Sequence, residues 1–337
     1  MAVFIVKRLG LMLLTMVVAS FLVFFAMEFS PGNVASKTLG PYASEESKKI
    51  LFDKLKLGDP LPMRYGRWLG VISGIIKDPL ADPKLKLGFK DPRGHQYFGN
   101  FGYSTLYKAP VNVILWDRLG NTAMLAGIAF LIMVPLSMVF GVLSGMREGS
   151  LLDRGLSLTG ITLTSIPEFA SAVFLMSIFV VLLEWLPGTS TLEVTPDWGV
   201  ASQLVLPVAV LVLYDFGYVA RMVRGSMVEV MTKHYIRTAV LKGLPYRTVI
   251  LRHALRNAMI APFTVILLQI NWLITGVVVT EVIFAYPGFG RMLLEAALFG
   301  DITLVEAATL VALVVAVTTQ LIGDIGYMLL NPRIRFT

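Results

Sequence analysis

Long apolar stretches alternate with polar segments along the chain. They run from Leu9 to Ala26 and over about 119–145, 155–185, 200–222, 258–283 and 302–330. About 20 apolar residues are needed to cross roughly 30 Å of hydrocarbon as a helix. The pattern therefore predicts an all-α integral membrane protein with six transmembrane helices. The inner stretches contain Pro135, Pro167, Pro207 and Pro262, which indicates kinked helices around a pathway, because neighbouring helices or water can satisfy the freed carbonyl groups.

Residues 30–116 form one long polar region after the first apolar stretch. Within it, the pattern from Ser44 to Leu57 predicts a short amphipathic helix with Ser44 as its N-cap. The remainder is rich in proline and glycine, with Asp-Pro pairs at 59–60, 78–79, 82–83 and 91–92. Since such pairs favour turns, we predict a looped segment with little regular structure.

Lysine and arginine are concentrated in three of the short connections and tails. These are Met146 to Arg154, Arg221 to Arg256 and Arg333 to Thr337. Cytoplasmic loops of membrane proteins carry an excess of these residues. The charge pattern therefore places both termini in the cytoplasm and residues 30–116 on the outside.

Composition narrows the class of protein further. With 56% hydrophobic and 15% charged residues, the chain is not an ordinary soluble domain. Its net charge of +7 is explained by basic cytoplasmic loops rather than by nucleic-acid binding. The absence of cysteine excludes disulfides and thiolate metal sites. His95, His234 and His253 lack the spacing of metal ligands, so no metal site is predicted.

Motifs for catalysis are missing from the sequence. It contains no GxxxxGK[ST] stretch for nucleotide phosphates, no HExxH and no GxSxG. We therefore predict that the chain is not an enzyme and binds no cofactor itself. If ATP drives its activity, ATP and magnesium are bound by another polypeptide.

The most basic block between two apolar stretches is YIRTAVLKGLPYRTVILRHALR, Tyr235 to Arg256. It carries five basic residues and no acid. The break from Gly243 to Pro245 divides it into two short predicted helices. One apolar face is expected from Ile236, Ala239 and Val240, and another from Val249, Leu251 and Leu255. We predict a helical elbow at the membrane surface, which a partner could push.

Several passages together resemble a known family. They are PLPMRYGRWL at 60–69, GNFGYS at 99–104, PVNVILWDRLGNTAML at 110–125, REGSLLDR at 147–154, SIPEF at 165–169, EWLPG at 184–188, YIRTAVLKGLPYRTVILRHALRNAMI at 235–260, VVVTEVIFAYPGFGRML at 277–293 and NPRIR at 331–335. In this order they resemble the permease subunit of binding-protein-dependent ABC importers, in the peptide and nickel class. The resemblance covers essentially the whole chain and implies the type I permease fold.

The resemblance implies a surface that docks on an ATPase subunit. The positions that correspond to the family's docking loop are Tyr235, Arg237, Thr238, Ala239, Lys242, Gly243, Leu244, Arg252 and His253. Arg237 stands where the wider family has glutamate, which puts one salt bridge in doubt rather than the docking. A second cytoplasmic contact is implied at Arg147, Glu148, Asp153 and Arg154.

Polar residues within or beside the apolar stretches are candidates for a translocation pathway or gate, because burying them in lipid is costly. The polar candidates are Thr164, Ser165, Gln269, Asn271, Thr275 and Glu281, and Pro167, Pro287 and Gly288 are further candidates as turn residues. The turn at 285–291 is predicted to bend at Pro287, Gly288 and Gly290. Hydrogen bonds between helices are an equal alternative for the polar groups. Asp215 and Asp324 lie near predicted helix ends and are interpreted as interfacial or paired.

The expected organisation is a cytoplasmic head with the first helix (1–29), an extracytoplasmic segment (30–116) and a five-helix core (117–337) with the coupling loop at 223–257.

The resemblance implies a homologous permease as heterodimer partner, two ATPase subunits and an external solute-binding protein, in the inner membrane of a prokaryote. The resemblance implies uptake of peptides or oligosaccharides, with peptides favoured, and relatives also carry nickel complexes. The segment 74–99 is longer than the corresponding connection in the family. The alternative function is an ion-coupled secondary transporter that works alone.

Overall fold

The computed structural model describes residues 2–28, 44–78, 96–275 and 277–330. The described residues are mainly helical. The helices are α1 Ala2–Glu28, α2 Glu45–Leu55, α3 Leu61–Ile72, α4 Val111–Gly145, α5 Leu151–Ser165, α6 Glu168–Met176, α7 Val200–Met231, α8 His234–Leu241, α9 Tyr246–Thr248, α10 Leu255–Ala258, α11 Ile260–Thr275, α12 Val278–Ile283, α13 Phe289–Phe299 and α14 Ile302–Leu330. Two π-helical segments, Ser177–Leu182 and Val249–Ala254, follow α6 and α9. The strands β1 Tyr103–Ser104 and β2 Ala109–Pro110 pair antiparallel.

The predicted membrane helices are present, although two of them are broken. Four described helices are long and apolar enough to cross a membrane, within α1, α4, α7 and α14. Two bent pairs raise the number to six if each pair is one span, with bends of 96° after Ser165 and 58° after Ala258. Pro167 was expected inside a continuous helix but precedes α6 at the first bend. A residue before proline is disfavoured in the helical region, so α5 ends there.

The long polar region was predicted partly correctly. Ser44 caps α2 as expected, with its side-chain oxygen accepting from the Ser47 N–H at 3.2 Å. The helix α3 was not expected, because Pro60 and Pro62 suggested loop; both fall at or before its first turn, where proline is tolerated. Asp82, Asp91 and His95 lie outside the described residues, as does most of the segment 74–99.

By packing, the chain divides into two compact units. The first contains the described residues of Met1–Asn121 and Gly288–Val317, and the second those of Thr122–Pro287 and Thr318–Thr337. This division concerns packing, so the topological division at 29 and 116 stays a prediction. In the first unit, the start of α4 packs with α13 and α14 around Leu115, Met292 and Leu304. Asp301 joins the turn between β1 and β2 to the start of α14, since it accepts from Leu106 N–H and Leu304 N–H, both at 3.1 Å.

The second unit is built around α7. Its core contains Phe216, Val219, Val223 and Met227 from this helix, together with residues from α4, α8 and α11. Ile236 and Ala239 of α8 belong to the same cluster. The elbow that contains α8 is therefore anchored on the core of the membrane helices rather than suspended from them.

The expected apolar faces of the elbow were wrong at two positions. Val240 and Leu251 are exposed, whereas Ile250 and Ala254 are buried. From Val249 to Ala254 the backbone is π-helical, with i→i+5 hydrogen bonds. That wider turn changes which residues share a face, so a spacing of 3.6 residues per turn assigns Leu251 to the wrong side.

Candidate functional site

The turn of the elbow depends on Gly243. Helix α8 ends at Leu241, and Gly243 follows with φ +73°. Its N–H donates to the Val240 carbonyl at 2.9 Å, and the Leu244 N–H donates to the Ala239 carbonyl at 3.4 Å. Glycine adopts positive φ without the penalty of a Cβ atom. The break predicted from Gly243 to Pro245 is therefore confirmed as the end of a helix.

The outer face of the elbow is an exposed surface with both apolar and basic residues. Its apolar members are Tyr235, Val240, Leu241, Leu244 and Tyr246. Leu241 is 79% exposed, the largest fraction among them. Arg237, Lys242 and Arg247 are exposed beside them. We call these eight residues the elbow surface. A continuous apolar patch with a polar rim is typical of a protein interaction site.

The predicted coupling residues divide between the surface and the interior of the elbow. Those exposed are Tyr235, Arg237, Thr238, Lys242, Gly243, Leu244 and Arg252, while His253 is half-buried. Ala239 is buried. A small residue is needed there because α8 packs directly on the core. The contact of the exposed residues with an ATPase subunit stays a prediction.

Asp153 is the centre of a buried hydrogen-bond network near the second predicted contact. Its carboxylate is bound by the Arg224 guanidinium, with Nε to Oδ1 at 2.6 Å and Nη2 to Oδ2 at 2.8 Å. It also accepts from Ser144 Oγ and, at 2.9 Å, from the Gly149 N–H. Charge-assisted bidentate pairs of this kind are strong and geometrically specific. The network fixes the loop between α4 and α5 onto α7.

The expectation that Asp153 contacts a partner is wrong. The residue is only 2% exposed, and its carboxylate oxygens are already bound inside the second unit. Arg147, Glu148 and Arg154 are exposed, so the predicted contact remains a prediction for these three residues. Sequence spacing could not separate them because the partner of Asp153 is Arg224, 71 residues away.

Three of the polar pathway candidates, Thr164, Ser165 and Gln269, line one cavity. The volume of the cavity is about 380 Å³. Its full lining is Ile161, Thr164, Ser165, Tyr214, Asp215, Tyr218, Arg221, Gln269 and Trp272. The hydroxyl groups of Thr164 and Ser165 donate to carbonyls one turn earlier in α5, each at 2.7 Å. The side chains of Asn271 and Thr275 lie outside the described residues.

Asp215 is the residue of this cavity that the sequence analysis misplaced. It was interpreted as lying near a helix end, but α7 continues to Met231, which places Asp215 in the middle of the helix. The residue is 4% exposed. Gln269 Nε2 donates to its Oδ1 at 2.6 Å, so the alternative of a hydrogen bond between helices is correct for Gln269. A carboxylate in the middle of an apolar helix was the available signal.

Two other buried carboxylates hold α12 in place. Glu168 accepts from the Thr280 N–H at 3.1 Å and also from its hydroxyl. Glu281 accepts from the hydroxyl of Thr122 in α4 and is 0% exposed. Its side chain is enclosed in this structure, and a role for Glu281 at a pathway or gate stays a prediction. Its role in this structure is to bind α12 to α4.

The turn after α12 bends at a different residue than predicted. Ala285 has φ +52°, while neither Gly288 nor Gly290 has a positive φ. Gly288 is the N-cap of α13 and Gly290 lies within that helix. The glycines were expected to supply the bends because they tolerate positive φ, but Ala285 adopts that conformation instead. Pro287 is half-buried and Gly288 is buried, and a gating role for both stays a prediction.

Glu295 of α13 carries an ion pair and hydrogen bond outside the membrane-spanning helices. Arg291 Nε donates to it at 2.8 Å, and Tyr107 Oη donates at 2.7 Å. Burial raises the pKa of Glu295, but these two hydrogen bonds and the charges of Arg291 and Arg118 outweigh it, so the pKa is lowered from 4.5. Burial and the bond to Glu295 together raise the pKa of Tyr107 to about 12.

We expect this lowered pKa to make stability depend on pH. Its contribution is present above the pKa of the unfolded chain and is lost as pH falls through the folded value. Glu295→Gln should therefore reduce the melting temperature at pH 7. The loss in free energy of unfolding should be less than about 1 kcal/mol, because the pair is partly exposed. The difference from wild type should shrink as pH falls below 4.5 and through the lower pKa of the folded protein. A pH-independent difference in thermal melts would contradict this expectation.

Solved structures with a similar fold belong to ABC transporters. A chain of the methionine ABC transporter MetNI in an inward-facing conformation matches with a TM-score of 0.50 and 18% identity, over 66% of this chain and 96% of that one. The structure of an amino acid ABC transporter with histidines matches with a TM-score of 0.50 and 12% identity, over 64% of this chain and 94% of that one. At this identity the likeness shows the fold, which is that of an ABC transporter membrane subunit.

The family is shown by the sequence. Residues 137–336 match the family described as binding-protein-dependent transport system inner membrane component, and the chain belongs to it. A putative peptide transport system permease of Brucella abortus strain 2308 is 32% identical over the whole of both chains. The oligopeptide permease AppB of Bacillus subtilis is 29% identical over both whole chains. OppB of Escherichia coli is 33% identical over 76% of this chain and 85% of its own length.

These findings confirm the expected family and fold class. The chain is a multi-pass membrane permease subunit of a binding-protein-dependent ABC importer. Transporters of this family work with ATPase and binding-protein partners, as expected from the sequence. The composition of the complex and the side on which each terminus lies stay predictions.

Proposed function

We propose that this chain is a permease subunit of an importer for peptides, and that ATPase subunits drive it through the elbow surface. The complete importer contains a homologous permease, two ATPase subunits that bind ATP and magnesium, and an external solute-binding protein. Both termini lie in the cytoplasm. The names of the relatives, which are peptide and oligopeptide permeases, support peptides as the substrate. Oligosaccharide uptake is the alternative outcome of a transport assay.

The observation that carries the ATPase contact is the combination of an exposed apolar face and a buried anchor on the same short helix. Leu241 and Val240 are exposed, whereas Ile236 and Ala239 belong to the core around α7. A movement applied to the outer face of α8 is thus transmitted to α7 by direct packing, because protein interiors are close-packed and transmit strain. Closure of the ATPases on ATP binding provides that movement.

Leu241→Glu tests the contact without disturbing the fold. The side chain is 79% exposed, so the change leaves no cavity, but it places a carboxylate within the apolar part of the elbow surface. We expect the amount of ATPase that co-purifies with the tagged complex to fall at least about tenfold, which corresponds to about 1.4 kcal/mol. Peptide uptake in proteoliposomes should fall with it.

Val194→Glu is the matched control. Val194 is similarly exposed, at 77%. It lies outside the elbow, in the connection that joins the π-helical segment Ser177–Leu182 to α7. This variant should retain the ATPase subunits at the wild-type level. Equal retention of ATPase by the Leu241 and Val194 variants would exclude the elbow surface as the docking site.

A further inference from the structure

The cavity between α5, α7 and α11 contains a carboxylate that the protein itself does not fully satisfy. Asp215 receives one hydrogen bond, from Gln269, and its Oδ2 is buried without a hydrogen-bond partner among the described residues. A buried charged oxygen without a donor is costly, by roughly 1–3 kcal/mol or more. Carboxylates within membrane helices usually face a partner or a pathway. Oδ2 therefore needs a donor or cation that the described protein does not provide.

The nearest cationic residue lining the cavity does not provide it. Arg221 lies six residues after Asp215 on α7, about 9 Å along the helix axis at 1.5 Å per residue. It lines the cavity, but no ion pair between the two is present among the described residues. The cavity thus has a negative group and a positive group that are separated along one helix. A short free peptide carries an ammonium group and a carboxylate group, and the distance between them is similar to this rise of about 9 Å along the helix.

Aromatic side chains form another part of the lining. The rings of Tyr214 and Trp272 stack with centroids 5.1 Å apart and an interplanar angle of 17°, and Tyr218 is also part of the lining. Tryptophan and tyrosine faces attract ammonium groups, by about 2 kcal/mol when water is excluded. The hydroxyl groups of Thr164 and Ser165 are partly engaged with their own helix. The lining therefore suits a small cation next to Asp215.

We propose that this cavity is a substrate subsite within the membrane part of the permease. The α-ammonium group of a short peptide in transit binds Asp215 against the aromatic rings of Tyr214 and Trp272. The peptide carboxylate lies toward Arg221. This inference rests on the proposed peptide transport, and it adds a contact with the substrate that is made by the permease after the binding protein has released it.

Asp215→Asn in the reconstituted complete importer tests the proposal. Asparagine keeps the size of the side chain and its ability to bind Gln269, but removes the negative charge. With trialanine delivered by the binding protein, we expect uptake to fall about tenfold, while ATPase stimulation by the loaded binding protein stays within about twofold of wild type. A purely structural role would lower both together. Unchanged uptake, or a joint loss of uptake and ATPase activity, would overturn the proposal.

Asp197→Asn is the matched control, because it makes the same exchange at an exposed position in the connection before α7, outside the cavity. It should leave uptake and ATPase stimulation unchanged. Arg221→Gln, at an exposed residue whose replacement should not affect folding, is the second variant. It should lower the uptake of trialanine but not of trialanine amide, which has no carboxylate.

Peptide uptake by the wild-type importer distinguishes a failure of the proposed function from a failure of the subsite. If the wild-type importer takes up no peptide, the proposed function fails, and the subsite with it. If it takes up trialanine, and Asp215→Asn and Arg221→Gln do so equally well, only the subsite is excluded.

Discussion

Gly217→Ala is expected to prevent the close packing of α5 against α7. It should destabilise the second unit more than alanine at Gly160 or Gly225. A Cβ atom at Gly217 would lie 2.0 Å from the Gly160 carbonyl oxygen and 2.7 Å from its carbonyl carbon. Both are backbone atoms, which cannot rotate away as a side chain would. Overpacking usually costs about 1–3 kcal/mol, and we expect about 3 kcal/mol here. The measurement is the melting temperature of the purified protein in detergent.

Two alanine variants serve as controls for this result. A Cβ at Gly160 would have its nearest neighbour at 3.4 Å, and one at Gly225, on the same helix as Gly217, would meet nothing within 4 Å. Gly160→Ala should therefore have a small effect. Gly225→Ala should be neutral or stabilising by up to about 1 kcal/mol, because alanine favours helix over glycine. Equal melting temperatures for the alanine variants at 217 and 225 would show that α5 and α7 do not approach as described.

Arg224→Gln is expected to have the second largest effect. It leaves the carboxylate of Asp153, whose side chain is 3% exposed, buried without its cation. Breaking a buried ion pair by removing one partner costs about 3–5 kcal/mol. We expect the lower end, near 3 kcal/mol, because the Arg224 side chain is 31% exposed and the remaining donors, Ser144 and the Gly149 N–H, still bind Asp153. Thermal melting in detergent measures the loss.

The exposed ion pair between Lys233 and Glu229 provides the comparison. Its atoms are 2.9 Å apart, but the side chains are 49% and 71% exposed. Lys233→Gln should change stability by no more than about 0.5 kcal/mol, since exposed pairs contribute little. The double variant Asp153→Asn with Arg224→Gln should be more stable than Arg224→Gln alone, because no charge remains buried. If both single variants at 224 and 233 melt alike, the network around Asp153 is not the one described.

Local features of the candidate site could be predicted from the sequence. Gly243 followed by Pro245 indicated the end of a helix, and the structure has that end with a positive φ at Gly243. Ser44 was identified as the N-cap of the amphipathic helix predicted from Ser44 to Leu57, and it caps α2. Both features depend on residues within four positions along the chain. Hydrogen bonds of turns and caps are formed over that distance, so sequence contains the necessary information.

Contacts between distant residues could not be predicted in this way. Thr164, Ser165 and Gln269 were selected for their polarity, but their assembly into one cavity with Asp215 depends on packing between helices that are far apart in sequence. Glu281 was selected for the same reason and is instead enclosed by its contact with Thr122, 159 residues away. Polarity indicates that a group needs a partner. It does not indicate whether that partner is another helix or a substrate.

The sequence by itself determined the class of fold, the membrane helices and the presence of a basic elbow, because apolar length, charge and turn residues act locally or through the surrounding solvent. Tertiary structure alone decided that Asp153 is internal, that Leu251 is exposed while Ile250 is buried, and that Asp215 lies at a cavity. The physical reason is that burial and pairing of a polar side chain depend on which surface packs against it. In this protein those surfaces belong to helices separated by about 50 to 70 residues, as with Asp215 and Gln269 or Asp153 and Arg224.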